Sequence, residues 1–201
     1  IRLADRAGLA SPGALARLRL GYLYLYENRA ARARREFEAA LRISRAAGDD
    51  FRVVRAQSGL ARALHVAGRY EEARRMYLLV LHGALRRGEQ AERADTYSAL
   101  GDLETTFGDP DAAVDYYARG LELHRSLHVL DQMAADANRI AEHDLWRGAP
   151  AHADSVISSV LPEARALARR QVYAGLLVTL AHARHLQGRD HDAQNLVYRA
   201  L

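Results

Sequence analysis

The sequence predicts an all-α protein, an α-solenoid built from antiparallel helix pairs. Three observations carry that prediction. The chain repeats itself every 40 residues without insertion. Each period holds two stretches with apolar residues at helical spacing, parted by a helix stopper. No stretch alternates with period two, and β-branched residues are few, so no sheet is expected.

The period is read from columns. Small residues recur at Gly21, Ala61, Gly101, Ala141 and Ala181, each preceded by Leu20, Leu60, Leu100, Ile140 or Leu180. Twelve residues later stand Ala33, Ala73, Ala113, Ala153 and Ala193, followed by the bulkier Phe37, Tyr77, Tyr117, Ile157 and Val197. Asn28, Gly68, Gly108, Gly148 and Gly188 divide each period in two. The repeats run 11–50, 51–90, 91–130, 131–170 and 171–201, after a leading half-repeat 1–10 whose Arg2 to Gly8 tracks Arg42 to Gly48.

Element by element, the half-repeat is the end of a second helix. Repeat 11–50 opens on Ser11-Pro12, an N-cap with proline at the first helical position. Its first helix, Leu18 to Tyr26, is apolar nearly all round, which implies burial on several sides. Repeat 51–90 has its apolar stripe at Val53, Val54, Leu60, Leu64 and Ala67, then Gly68, then a second helix through Ala73, Tyr77, Val80 and Leu81 to Gly88. Asp109-Pro110 starts the second helix of repeat 91–130 in the manner of Ser11-Pro12. In repeat 131–170, Pro162 falls inside the second helix, where it leaves the Ser158 carbonyl without its usual donor and should kink the chain. Ile1 and Leu201 share one column with Leu41, Leu81, Leu121 and Leu161, so both ends fall inside a second helix. Natural arrays finish in polar capping repeats, and none is visible, so a segment of a longer protein is expected.

Composition narrows the chemistry. Among 201 residues there is no Cys and no Lys; all 29 basic residues are Arg, against 25 acidic ones, for a net charge of +4. Thiolate metal sites, cysteine nucleophiles, the phosphate-loop lysine and Schiff-base chemistry are thereby excluded. No run of about 18 apolar residues exists to span a membrane. Hydrolase elbow, phosphate loop, dinucleotide fingerprint and metalloprotease helix are all missing, so no enzyme activity and no cofactor are expected.

Gly21, Tyr24, Ala33, Phe37 and Ala40, with Gly-Arg-Tyr-Glu-Glu-Ala at 68–73, resemble the tetratricopeptide repeat. Small residues let the two helices of a hairpin approach, and the aromatic fills the gap to the next hairpin. The period is 40 rather than about 34, which resembles the longer repeats of bacterial signalling proteins, kinesin light chains and peptide-pheromone receptors. HEAT-type repeats share that length, but the small, alanine and aromatic columns favour the tetratricopeptide form. The resemblance implies a right-handed superhelix and a non-catalytic role in binding a protein or peptide. It further implies the sensor or scaffold region of a larger cytoplasmic bacterial regulator, with an effector domain outside this segment.

In that family the first helices line a concave groove. Its columns, carried over one at a time, give a row Tyr22, Arg62, Asp102, Glu142 and His182. Further rows hold Leu18, Ser58, Ser98, Asn138 and Val178, and Tyr26, Val66, Thr106, Trp146 and Leu186. The last two hold Leu25, His65, Thr105, Leu145 and His185, and Leu15, Arg55, Asp95, Ala135 and Gly175. Such a lining suits an extended peptide or a partner helix with basic residues at its centre. The plainer account is a set of solvated polar residues. Trp146, the only tryptophan, is either an anchor or packed on a neighbouring repeat. Glu104, Asp144 and Arg184 replace apolar residues in one column and predict a structural ladder ending in an Arg–carboxylate pair. His124 with His128, and His182 with His185, share helix faces but lack a third ligand, so they are expected as surface histidines. Arg34-Arg35, Arg74-Arg75, Arg86-Arg87 and Arg169-Arg170 are placed on second helices. A basic stripe there is an alternative nucleic-acid surface, which the interspersed acidic residues argue against. Self-association through exposed repeat ends is the other alternative.

Overall fold

The computed structural model describes residues 10–165 and 170–201, so all but Ala10 of the predicted half-repeat 1–10, and Arg169, lie outside the described residues. Ten helices and no strand are found among those described: α1 (Ala10–Tyr26), α2 (Ala30–Ala46), α3 (Asp50–Val66), α4 (Tyr70–Arg87), α5 (Gln90–Phe107), α6 (Pro110–Ser126), α7 (Leu130–Trp146), α8 (Pro150–Ala164), α9 (Arg170–Leu186) and α10 (Asp190–Ala200). None of these helices is long and apolar enough to cross a membrane. The chain divides into two compact units, Ile1–Glu89 and Gln90–Leu201. The first contains the hairpins α1/α2 and α3/α4. The second contains α5/α6, α7/α8 and α9/α10.

Turn chemistry sets the helix ends. After α3, Gly68 takes φ +74°; its N–H reaches the His65 carbonyl at 2.9 Å, and the Arg69 N–H reaches the Leu64 carbonyl at 2.9 Å. That pair of bonds satisfies carbonyls the helix would otherwise leave open. Asn28 holds the matching left-handed conformation after α1 at φ 57°. Asp109 caps α6 as expected, accepting from the Ala112 N–H at 3.0 Å with Pro110 as the first helical residue. The parallel expectation for Ser11-Pro12 is corrected: Ala10 and Ser11 are already helical, so Pro12 lies within α1. Pro162 sits in the final turn of α8, which closes at Ala164, rather than well inside a longer helix. Arg170 opens α9, a first helix, and so does not belong to the second-helix arginines.

Each unit packs around the predicted columns. In the first, the Phe37 ring is fully buried with Leu18, Ala33, Ala40, Ala56, Leu60 and Ala63. A Cβ on Gly21 would meet that ring at 2.6 Å, and one on Gly59 would collide with it as well. Two helices thus give up side chains to admit one aromatic, whose burial is worth about 1.5–3 kcal/mol. In the second unit Tyr117 lies under Gly101 in the same way. The largest cluster there joins Met133, Ala137, Ile157, Val160, Leu176, Leu177 and Leu180. Contrary to expectation, α1 is not buried all round: Leu15, Leu23 and Tyr26 are exposed.

Candidate partner-binding site

In the first unit, the groove columns fall on α1 and α3. Tyr22 is half-buried, edge-on to Phe37 with ring centroids 5.1 Å apart. Tyr26, at the last turn of α1, is 92% exposed. Arg55 and Arg62 are seven residues apart on α3, two turns along one stripe, and both are exposed. Neither makes an ion pair among the described residues, which leaves two planar guanidinium groups available to a carboxylate. His65 is half-buried against the Tyr70 ring at 5.9 Å.

The second unit places the remaining columns on α5, α7 and α9, and here most are tied into hydrogen bonds. Asp102 accepts from the Tyr117 hydroxyl at 2.9 Å and pairs with Arg139 Nε at 2.8 Å. The Arg139 guanidinium also lies over the Tyr117 ring, 5.5 Å from its centroid. Burial, with the Asp102 charge alongside, pushes the Tyr117 hydroxyl well above its ordinary pKa. Asn138 donates to the exposed Glu142 at 2.7 Å and accepts from Thr179 at 2.6 Å. Trp146 is 79% exposed at the end of α7, tilted toward His143 with centroids 6.1 Å apart. It does not pack on a neighbouring repeat. His182 and His185 are exposed, and His185 is bonded to Asp190 at 2.5 Å. Both line an open cavity of about 660 Å³ between α9 and α10, with Val178, Ala193 and Tyr198.

One cluster was not expected. His124, read as a surface histidine, is 2% exposed, and Asp136 opposite it on α7 is 1% exposed. Nδ1 of His124 stands 2.8 Å from Asp136 Oδ2, and Nε2 stands 3.4 Å from Asp95 Oδ1 on α5. Ser98 donates to the same Asp136 oxygen at 3.0 Å. Gly120 makes the room, since its Cβ would lie 2.8 Å from Ser98 Oγ and 2.9 Å from Asp136 Oδ2. Burial alone would lower the imidazole pKa; the hydrogen bonds and charges of Asp136 and Asp95 outweigh it and lift it to about 9. His124 is therefore a cation at neutral pH, and the pair ties α5, α6 and α7 together. The signal lay in the columns. His124 interrupts Ser44, Ala84 and Ala164, and Asp136 interrupts Ala56, Thr96 and Leu176, so one base and one acid break two small or apolar columns.

The predicted ladder is also rearranged. Glu104 and Asp144 are buried, but Asp144 pairs with His152 on α8 at 2.6 Å. Arg184 finds its carboxylate on α8 as well, in Asp154 at 3.3 Å. Asp154 also receives Ser158 at 2.9 Å, Arg189 at 3.0 Å and Gln187 at 3.4 Å.

Comparison with known proteins places this arrangement. The tetratricopeptide repeat profile matches residues 14–46 and 52–126, together just over half the chain. A segment of 103 residues is 28% identical to Protein FLUORESCENT IN BLUE LIGHT, chloroplastic, of Arabidopsis thaliana, taking in 51% of this chain and 33% of the relative. The chain thus spans about a third of the length of that curated relative. The fold is similar to BtubC (BKLC) from P. vanneervenii at 20% identity, with a TM-score of 0.83 over 99% of this chain and 84% of the other. It is also similar to a Rap protein solved in complex with competence and sporulation factor, at 16% identity and a TM-score of 0.75 over 93% and 57% of the two chains.

Proposed function

We propose that this chain, which belongs to the tetratricopeptide repeat family, is a scaffold that binds a partner protein or extended peptide along its first helices. It performs no chemistry of its own and serves as the sensor or scaffold region of a larger cytoplasmic bacterial signalling or regulatory protein. The observation that carries this reading is the exposure of recognition-type side chains at the groove columns: Tyr26, Arg55, Arg62, Glu142 and Trp146. Aromatic and arginine side chains supply most hot spots at protein interfaces. The likeness in fold to a Rap protein that binds competence and sporulation factor supports the same reading. A ligand bridging successive hairpins would favour one spacing of the helices over another and so pass its presence to an attached domain.

The test selects peptides from a random display library on the purified chain and measures their affinity by calorimetry. Arg62→Glu is expected to weaken peptides that bind the first unit at least ~10-fold, and Trp146→Ala those that bind the second; both residues are exposed and their replacement costs the core nothing. Unchanged affinity in both variants would remove the first helices as the binding surface.

A further inference from the structure

Charge is divided unequally between the two units. Residues 1–89 hold 18 arginines against nine carboxylates, a net +9; residues 90–201 hold 11 against 16, a net −5. The change of sign falls at fixed columns of the second helices. Arg35 on α2 and Arg75 on α4 give way to Asp115 on α6, and Arg42 and His82 give way to Glu122.

These residues lie on equivalent stripes. On α4, Arg75, Leu78, Leu79, His82, Leu85 and Arg86 follow one another at helical spacing, and all six are exposed. On α2 the same stripe exposes Arg35, Arg42 and Arg45. Arg35, Arg42, Arg45 and Arg86 make no ion pair among the described residues. On α6 the bases are already engaged: Arg119 lies over the Tyr97 ring at 5.8 Å, and Arg125 pairs with Glu163 at 3.1 Å. Asp115 and Glu122 are exposed and have no such partner among the described residues.

We propose that the α2–α4 face of one copy docks the α6 face of a second copy. The guanidinium groups of Arg35, Arg42 and Arg86 meet Asp115 and Glu122. Leu78, Leu79 and Leu85 are covered by Ala118 and the aliphatic stems of Arg119 and Arg125. The three leucines set among the arginines fit a protein face better than a phosphate backbone. The second copy supplies the complementary charge at the same columns on a helix of the same length. A single helix about 25 Å long and about 10 Å wide limits the contact to about 500 Å² in total, below the range of stable interfaces. The contact is therefore weak and depends on charges that salt screens.

Sedimentation velocity from low micromolar to near-millimolar concentration tests this. The chain is expected to associate in low salt, with an affinity at least ~10-fold weaker at high salt. Arg35→Glu with Arg42→Glu sets carboxylates against Asp115 and Glu122; Asp115→Arg with Glu122→Arg sets guanidinium groups against Arg35 and Arg42. All four positions are exposed, so helicity by circular dichroism should not change. Each double variant alone should stay monomeric, and an equimolar mixture of the two should associate again. A wild type that is monomeric throughout in low salt overturns the proposal. So do variants that associate like the wild type, or a mixture that remains monomeric. If the wild type stays monomeric but binds a DNA duplex through Arg35 and Arg42, the face belongs to nucleic acid and the proposal is also overturned.

Discussion

His124 is a cation buried against the Asp136 carboxylate, with the exposed Asp95 on its other ring nitrogen, and its stability contribution follows from its proton. The folded pKa of about 9 lies above the ordinary 6.5, so the contribution is complete below pH 6.5 and is lost as pH rises through 9. Urea midpoints are expected to fall across that window, and His124→Gln should flatten the fall while costing about 3 kcal/mol at neutral pH. A wild-type midpoint constant from pH 6.5 to 9 would show that the pair does not carry a charge. Gly59 offers a second test. Gly59→Ala drives a methyl into the Phe37 ring and should cost about 1–3 kcal/mol. Phe37→Leu in that background should recover part of the loss, so the double-mutant cycle is expected to be non-additive. The columns expose Gly21 as a close-packing position, but they hide Gly59. Its column reads Arg19, Gly59, Ala99, Arg139 and Thr179, and only the geometry reveals that Phe37 needs both glycines.

At the scale of elements, a single carboxylate on α8 governs the last hairpin of the second unit. Asp154 gathers donors from α8, from α9 and from the turn before α10. Burial raises its pKa, while Ser158, Arg184 and Gln187 lower it further, so the carboxyl stays below its usual range. Its support is present above the ordinary carboxylate pKa and disappears as pH falls through the lower folded value. Asp154→Ala should speed amide exchange in the turn 187–190 while leaving the α5/α6 hairpin unchanged; equal protection in that turn would show that the hub is dispensable. Helix ends with a local cause could be read from sequence, as Asp109-Pro110 and Gly68 illustrate. Ser11-Pro12 looked the same and differs because helical backbone already includes Ala10. Arg184 shows the other limit: its column mates Glu104 and Asp144 suggested a ladder, yet a long side chain chooses among all carboxylates within reach.

At the scale of the molecule, the 40-residue period specifies hairpin order, the buried aromatics and the small residues beneath them, because all of these repeat with the backbone. The division after Glu89 leaves no mark in those columns, which run through it without insertion. Candidate binding residues were readable as positions but not as states. Arg62 and Asp102 share a column, yet Arg62 makes no ion pair among the described residues, whereas Asp102 is engaged by Tyr117 and Arg139. Trp146 shares that history, since its column gave no reason to choose between packing and exposure. Its exposure makes the chain its own optical instrument. A solitary indole standing in water should emit close to free tryptophan in the native state and be readily quenched by acrylamide. It should change little when urea unfolds the chain. A partner settling on that turn of α7 would dry the ring, move its emission to the blue and shield it from the quencher, so occupancy could be followed without attaching a dye.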